Sequence, residues 1–310
     1  MHQHDHSHGD IAGTSKSRML VTVALNLAIT AAEVVGGLLA NSLALLSDAV
    51  HNLSDTAAVF LAWIAIRISE KKSTGKMTFG YRRIQILAAF FNALVLIAIS
   101  AYLIYEAIHR FYNPQPVEGT IMFIVAVVGL LGNLISVFLL RKNKGDNLNV
   151  RAAYLHLLGD TLSSVVVIAG GVLIIYFNIY WIDPLVTILI GLYIGKATYS
   201  VLKETIGILM QSAPPDMDIG EISAELETID KVENIHHIHL WRLDDRSVHF
   251  ECHCDISEDM NVSRTDELRR KLEDRLHEKF DIHHVTIQIE YNICHSKSAV
   301  SQDQSRQGCD

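Results

Sequence analysis

His51 and Asp55 stand four residues apart, and so do His156 and Asp160. Four residues of α-helix turn through about 400°, so each pair projects from one helical face, one turn apart. Both pairs lie in apolar surroundings, SLALLSDAVHNLSD for the first and AAYLHLLGD for the second. If the two helices face each other in opposite directions, the four side chains form an N2O2 cage. Zn²⁺ is normally tetrahedral and accepts imidazole and carboxylate alike, whereas an all-oxygen octahedral site suits Mg²⁺ or Mn²⁺. The spacing therefore predicts a site for a divalent transition metal, zinc first, with cadmium, cobalt and nickel accepting similar ligands. Any one of these residues alone would read as a structural hydrogen-bonding group; two matched pairs argue for ligands. Metal needs neutral His and ionised Asp, so protons and metal compete for the same atoms. With ordinary imidazole titration near pH 6.5, the expected transport reaction is antiport, metal outward and proton inward.

The elements that must hold these residues are long and apolar. The 310-residue chain is 50% hydrophobic and only 19% charged, which excludes a disordered chain. Runs near the roughly 20 residues that cross a bilayer core fall at 19–40, 42–68, 84–108, 117–140, 152–177 and 181–201, and predict six transmembrane helices. A charged side chain at the centre of such a helix costs about 2.5–3.5 kcal/mol on insertion scales, so it faces a bundle interior or a water path. Net charge divides sharply. Up to Met210 there are 15 Lys/Arg against 12 Asp/Glu; beyond it there are 11 against 22. In the connections on one side of the spans stand thirteen cations, among them Lys71, Lys72, Arg82, Arg83 and Arg141, and on the other only Arg110. Cytoplasmic loops retain Lys and Arg, so six spans with both termini and the acidic domain in the cytoplasm are expected. In that reducing compartment Cys252, Cys254, Cys294 and Cys309 read as small apolar or idle thiols rather than disulfides; a metal role for Cys294 beside His295 is the alternative.

Other polar positions in the spans are Asp48, Glu33, Asn26, Asn92, Asn133 and Glu106. Asp48, three residues before His51, reads as an exit-path or hydrogen-bonding residue and equally as a ligand. For the others helix-to-helix hydrogen bonding is the first reading and a water-lined route the second.

SLALLSDAVHNLSD, FGYRR at 79–83 and LNVRAAYLHLLGD at 148–160 resemble the cation diffusion facilitator family, in particular its CzcD/ZitB-type zinc exporters. The likeness covers nearly the whole chain. It implies a homodimeric six-helix Zn²⁺/H⁺ antiporter working by alternating access, with His51, Asp55, His156 and Asp160 matching the transport site. In some members a second metal sits in the loop between the second and third spans; here 69–83 contains neither Asp nor His, and Met77 and Tyr81 stand where histidines would. No loop site is expected. Arg83 matches a basic residue that pairs the membrane halves in some relatives, and reads equally as a cytoplasmic anchor.

After Ala213-Pro214-Pro215 the pattern becomes helix (218–229), strand (234–243), strand (247–256), helix (262–280) and strand (285–291), which predicts a small α+β domain with helices on one sheet face, and the resemblance implies that it is ferredoxin-like and metallochaperone-like. The expected division is a His-rich cytoplasmic tail at 1–17, the six-helix domain at 18–208, the metal-binding and dimerisation domain at 209–295 and a disordered tail at 296–310. Alternation puts His253 and Glu290 off the core face. It is less decisive for His236, which lies with Ile238 and Leu240 while His237 and His239 face the other way. The resemblance implies His236, His253, His283 and Glu290 as cytoplasmic regulatory ligands; Gln288, where some relatives have His, implies a smaller cluster. Solvated histidines or a dimer contact would give the same pattern. His2, His4, His6 and His8 suit loose metal holding near the entry, or a dispensable tail.

The expected partners are the lipid bilayer, a second copy of the chain, and Zn²⁺ and H⁺ as transported ions, with no nucleic acid and no catalytic cofactor. Two rivals use the same ligands without transport: a membrane metal sensor and an intramembrane metalloenzyme. The latter needs an open coordination position and a general base; no His-Glu-x-x-His is present, so no enzymatic activity is expected.

Overall fold

The structure is a computed structural model that describes residues 9–141, 148–245 and 247–292, without the side chains of 9–23, 139–141 and 148–157. The tract His2, His4, His6 and His8, the tail 296–310, Cys294, Cys309 and the side chain of His156 lie outside the described residues.

Six long helices come first: α1 (Gly9–Ala40), α2 (Leu43–Ser69), α3 (Ile84–Tyr112), α4 (Gly119–Arg141), α5 (Leu148–Phe177) and α6 (Ile182–Leu209). Stretches of α2 to α6 are long and apolar enough to cross a membrane, and α1 contributes the shorter apolar segment Ala24–Ala40. The chain divides into two compact units, 1–64 with 89–202, and 65–88 with 203–310.

In the first unit Ala40, Ala44, Leu45, Met122, Val167, Ile174 and Ile190 form a buried core, while Leu38, Phe91, Phe138 and Leu162 are more than half exposed. Large apolar side chains turned outward are what a lipid-facing surface requires. Between helices the contacts rely on small residues, because lipid supplies no hydrophobic drive for association. A side chain at Gly132 of α4 would overlap Ile29 of α1, and one at Gly171 of α5 would come 3.3 Å from the backbone of Phe123.

At one end of α2 the free N–H groups meet a carboxylate from far along the chain. Asp183, fully buried at the start of α6, accepts from the Ser42 hydroxyl at 2.5 Å, the Leu43 N–H at 2.9 Å and the Ala44 N–H at 3.2 Å. An anion at a helix N-terminus satisfies orphan donors and complements the helix dipole. Arg110, the cation that stands apart in the sequence, binds the Asn41 carbonyl and the Glu106 carboxylate nearby.

The second unit contains α7 (Ile219–Leu226), β1 (Val232–Arg242), β2 (Val248–Ile256), α8 (Val262–Phe280) and β3 (His284–Glu290). Strand order is β1-β2-β3, with β1/β2 antiparallel and β2/β3 parallel. Ile222 and Leu226 of α7 and Leu268, Leu272 and Leu276 of α8, four apart on one face, pack on Ile235, Leu240, Phe250, Cys252 and Cys254. The two thiols are buried core groups, and burial pushes that of Cys254 up to about 12. A β-bulge interrupts β1: His236 pairs with His253, but the next pair is His239 with Glu251, and His237 takes φ 49°. The extra residue puts His236 on the face of His253, opposite Ile238 and Leu240, although strict alternation groups it with them.

Replacing Asp183 with Ala removes the acceptor for three donors at the start of α2. We expect a loss of about 1–3 kcal/mol of stability, read as a lower unfolding midpoint in detergent; an unchanged midpoint would contradict this role.

Candidate metal centres

α2 and α5 bring three of the four intramembrane candidates together. His51 Nε2 lies 3.5 Å from Asp160 Oδ1, and His51 Nδ1 lies 3.5 Å from Asp55 Oδ2. One imidazole is thus flanked by a carboxylate from its own helix and one from the facing helix. Asp160 is 2% exposed, and the group opens on a cavity of about 260 Å³ lined by Leu162, Ile190, Tyr193 and Ile194 among others. The backbone of His156 is one helical turn before Asp160 on α5.

Distances test the fit to zinc. Two ligand atoms about 2.0–2.1 Å from one tetrahedral zinc stand about 3.3 Å apart, close to the Nε2-to-Asp160 spacing. A single ion cannot take both nitrogens of one ring. In this arrangement Asp55 therefore holds the ring from the far side, as a carboxylate commonly orients a metal-binding imidazole. A side-chain rotation would be needed to bring it onto the metal. Asp48, one turn earlier on α2, is tied to Ser163 of α5, whose hydroxyl donates to it at 2.5 Å.

A second group lies in the α+β unit. His236, His253 and Glu290 offer ligand atoms all within 4.8 Å of one another. His236 Nε2 is 3.5 Å from Glu290 Oε2, again a tetrahedral edge, and His253 Nδ1 is 2.8 Å from Glu290 Oε1. His236 is 3% exposed, yet neither ring nitrogen has a hydrogen bond among the described residues. A buried imidazole in that condition fits a metal better than a closed polar network. Gln288 donates to Glu290 at 2.7 Å and so orients the carboxylate rather than extending the cluster. Burial holds the His253 imidazole below its usual pKa, against the pull of Glu290, and this favours the neutral, metal-ready ring.

His283 is not brought to this group. It precedes β3 whereas Glu290 ends it, about 20 Å along an extended strand. Its ring lies 4.2 Å from that of His277, and its Nδ1 meets the Asp281 carbonyl at 3.0 Å. Two neighbours not singled out in the sequence stand closer: Asp255 Oδ2 is 3.9 Å from His236 Nδ1, and the His237 ring is 4.7 Å from that of His253. Asp255 stands two residues after His253 in β2, so alternation puts both on one face, but the bulge that turns His237 has no local signature.

The arrangement defines a helical membrane protein with His and Asp side chains buried between its apolar helices and an α+β domain in which two His and a Glu converge. The chain belongs to the cation efflux family: the cation efflux transmembrane domain matches residues 19–210 and the cation efflux protein cytoplasmic domain matches 214–292. It is 41% identical to the zinc transporter ZitB of Pectobacterium atrosepticum, over 94% of this chain and 90% of that one. It is 39% identical to the cadmium, cobalt and zinc/H(+)-K(+) antiporter of Bacillus subtilis, over 95% and 94%. The metal cation efflux system protein CzcD of Cupriavidus metallidurans is also 39% identical, over 96% and 92%. The chain is accordingly an integral membrane protein of a transporter family.

Another imidazole pair, His249 and His284, lies apart from both groups, with ring centres 4.1 Å apart and Phe79 edge-on at 5.4 Å from His249. His249 is 4% exposed, and its pKa is lowered, first by burial and then by His284 and Arg82. The unfolded chain binds a proton on this residue below about pH 6.5 where the folded chain resists it, so the stability it allows is lost as pH falls. Denaturant titrations at pH 7 and 5 should show acid destabilisation of the α+β unit that is smaller in His249→Gln; equal pH dependence in the two would refute it.

Proposed function

We propose that this chain exports divalent transition-metal ions, zinc first, across a bacterial inner membrane in exchange for protons, by alternating access. The observation that carries the reading is His51 held between Asp55 and Asp160 inside a bundle of apolar helices. The names of the relatives, a zinc transporter and a zinc/H(+)-K(+) antiporter, support it. Cadmium and cobalt, in the name of the Bacillus relative, and nickel share the required ligand chemistry.

His51, Asp55, His156 and Asp160 form the transport site. In the proton-loaded form the His51 ring carries hydrogen on both nitrogens and donates toward a carboxylate on each side. Zinc arriving from the cytoplasm takes Nε2 and Asp160, then His156 and a rotated Asp55, and displaces the Nε2 proton of His51 and any proton on the His156 nitrogen it binds, while Nδ1 of His51 keeps its hydrogen. Because both occupants neutralise the same buried carboxylates, an empty, fully ionised site is the costly state. That cost ties each exit of metal to an entry of protons. The lopsided distribution of Lys and Arg supports six spans with both termini in the cytoplasm.

The cytoplasmic domain binds regulatory zinc through His236, His253 and Glu290 and joins two copies of the chain. Metal held preferentially by the joined form favours it by mass action and so couples cytoplasmic zinc to transport. Its chemistry is binding alone, and the chain acts as a carrier rather than a sensor or an enzyme.

Two measurements test this. In proteoliposomes the wild-type protein should move zinc across an intact bilayer, and Asp160→Ala should lower that flux by a factor of about 100 or more while remaining folded; undiminished flux would end the site assignment. His253→Ala should reduce bound zinc per chain and weaken zinc-dependent dimerisation in detergent, and unchanged values of both would end the regulatory assignment.

A further inference from the structure

Glu33 is a buried acid that the metal site does not use. It lies on α1 at 1% exposure, and its hydrogen bond comes from Asn52 Nδ2 of α2 at 2.8 Å. On its other side is the bare backbone of Gly129 on α4, where a Cβ would stand 2.9 Å from Oε1. The charged groups that act on it among the described residues are the carboxylates of Asp48 on α2 and Asp160 on α5. An acid so placed cannot stay ionised without great cost, and intramembrane acids of this kind mark proton relays.

From Glu33 a file of polar side chains leads in one direction along three helices. α1 runs opposite to α2 and α4: Glu33 meets Asn52 and Gly129, while Asn26 Nδ2 meets Thr56 Oγ1 at 3.5 Å and Ile29 meets Gly132. Falling numbers on α1 and rising numbers on α2 and α4 therefore approach the same end. On that course lie Thr30 and Asn26, then Thr56, and on α4 Asn133 and Ser136, four residues on from Gly129 and Gly132, the glycines that face α1. Asn26 Oδ1, Asn52 Oδ1, both amide atoms of Asn133 and the Ser136 hydroxyl have no partner among the described residues, and Asn133 is fully buried. Unsatisfied polar atoms on one seam of a membrane bundle call for water.

We propose that Glu33 and this seam carry the protons of the exchange to the cytoplasm by a route separate from that of the metal. The inference rests on the antiport and topology proposed above. A proton displaced from the His51 and Asp160 site passes, through water beside Asn52, to the Glu33 carboxylate and makes it a neutral acid. That O–H bond then breaks toward water held by Asn26, Thr56, Asn133 and Ser136, which restores the carboxylate. Metal moves by way of the His51 cavity, where Glu33 takes no part. Glu33 is thus a proton carrier rather than a ligand.

The test uses the full chain in proteoliposomes carrying a pH dye, with labelled zinc. Glu33→Gln should exchange labelled zinc for unlabelled zinc at the wild-type rate when both sides have equal pH. Its net zinc transport driven by a pH difference, and its zinc-evoked proton flux, should fall by about a hundredfold. Glu33→Asp should recover part of the proton flux, and Asn133→Leu should slow it while sparing exchange. A wild-type proton flux in Glu33→Gln would overturn the proposal, as would parallel loss of exchange and proton flux in both Glu33→Gln and Asn133→Leu, which would make the seam structural. Failure of the wild-type protein to exchange zinc at all would instead overturn the transport reading.

Discussion

Ionisable groups buried among apolar helices must always have something to neutralise them, and in this protein that constraint falls on His51, Asp55 and Asp160. A carboxylate from α2 and one from α5 flank a single imidazole at 3.5 Å on either side. Protons can satisfy the group and a divalent cation can satisfy it, but leaving it empty is costly. A conformational cycle that opens the group first to one side and then to the other exchanges the two occupants, because each is displaced by the other.

Such a site needs helices whose relative positions do not drift. α2, which carries His51 and Asp55, is fixed at its first turn by Asp183, some 140 residues away in sequence. Close backbone approach does the same for α1, α4 and α5, where Gly132 and Gly171 leave room for neighbours that a Cβ would displace. Gly129 has a further consequence, since the space it leaves receives the Glu33 carboxyl. Packing and polar chemistry in this bundle are set by the same small residues.

Features with a regular period were legible in the sequence. The apolar runs anticipated α2 to α5 within a few residues and α6 except for its last eight, the four-residue spacing placed His51 and Asp55 on one face, and strand alternation put His253 and Glu290 off the core face and the thiols of Cys252 and Cys254 in the core. Features made by distant contacts were not. Asp183 reads as an ordinary acid at the start of a span, because its partners are on another helix. His236 defied alternation because a bulge at His237 shifts the register. His283 entered the ligand set by resemblance, yet strand length carries it far from Glu290. Glu33 was visible as a polar position, but its neighbouring carboxylates and the polar seam beyond it depend on how three helices meet.

The most direct test of the account follows both ions at once in sealed proteoliposomes containing a zinc dye and a pH dye. The account predicts that zinc and protons cross in opposite directions at a fixed ratio, that an imposed proton gradient drives zinc against its own gradient, and that a protonophore removes this drive. Zinc movement that proceeds with no opposing proton movement, and is indifferent to the protonophore, would contradict it.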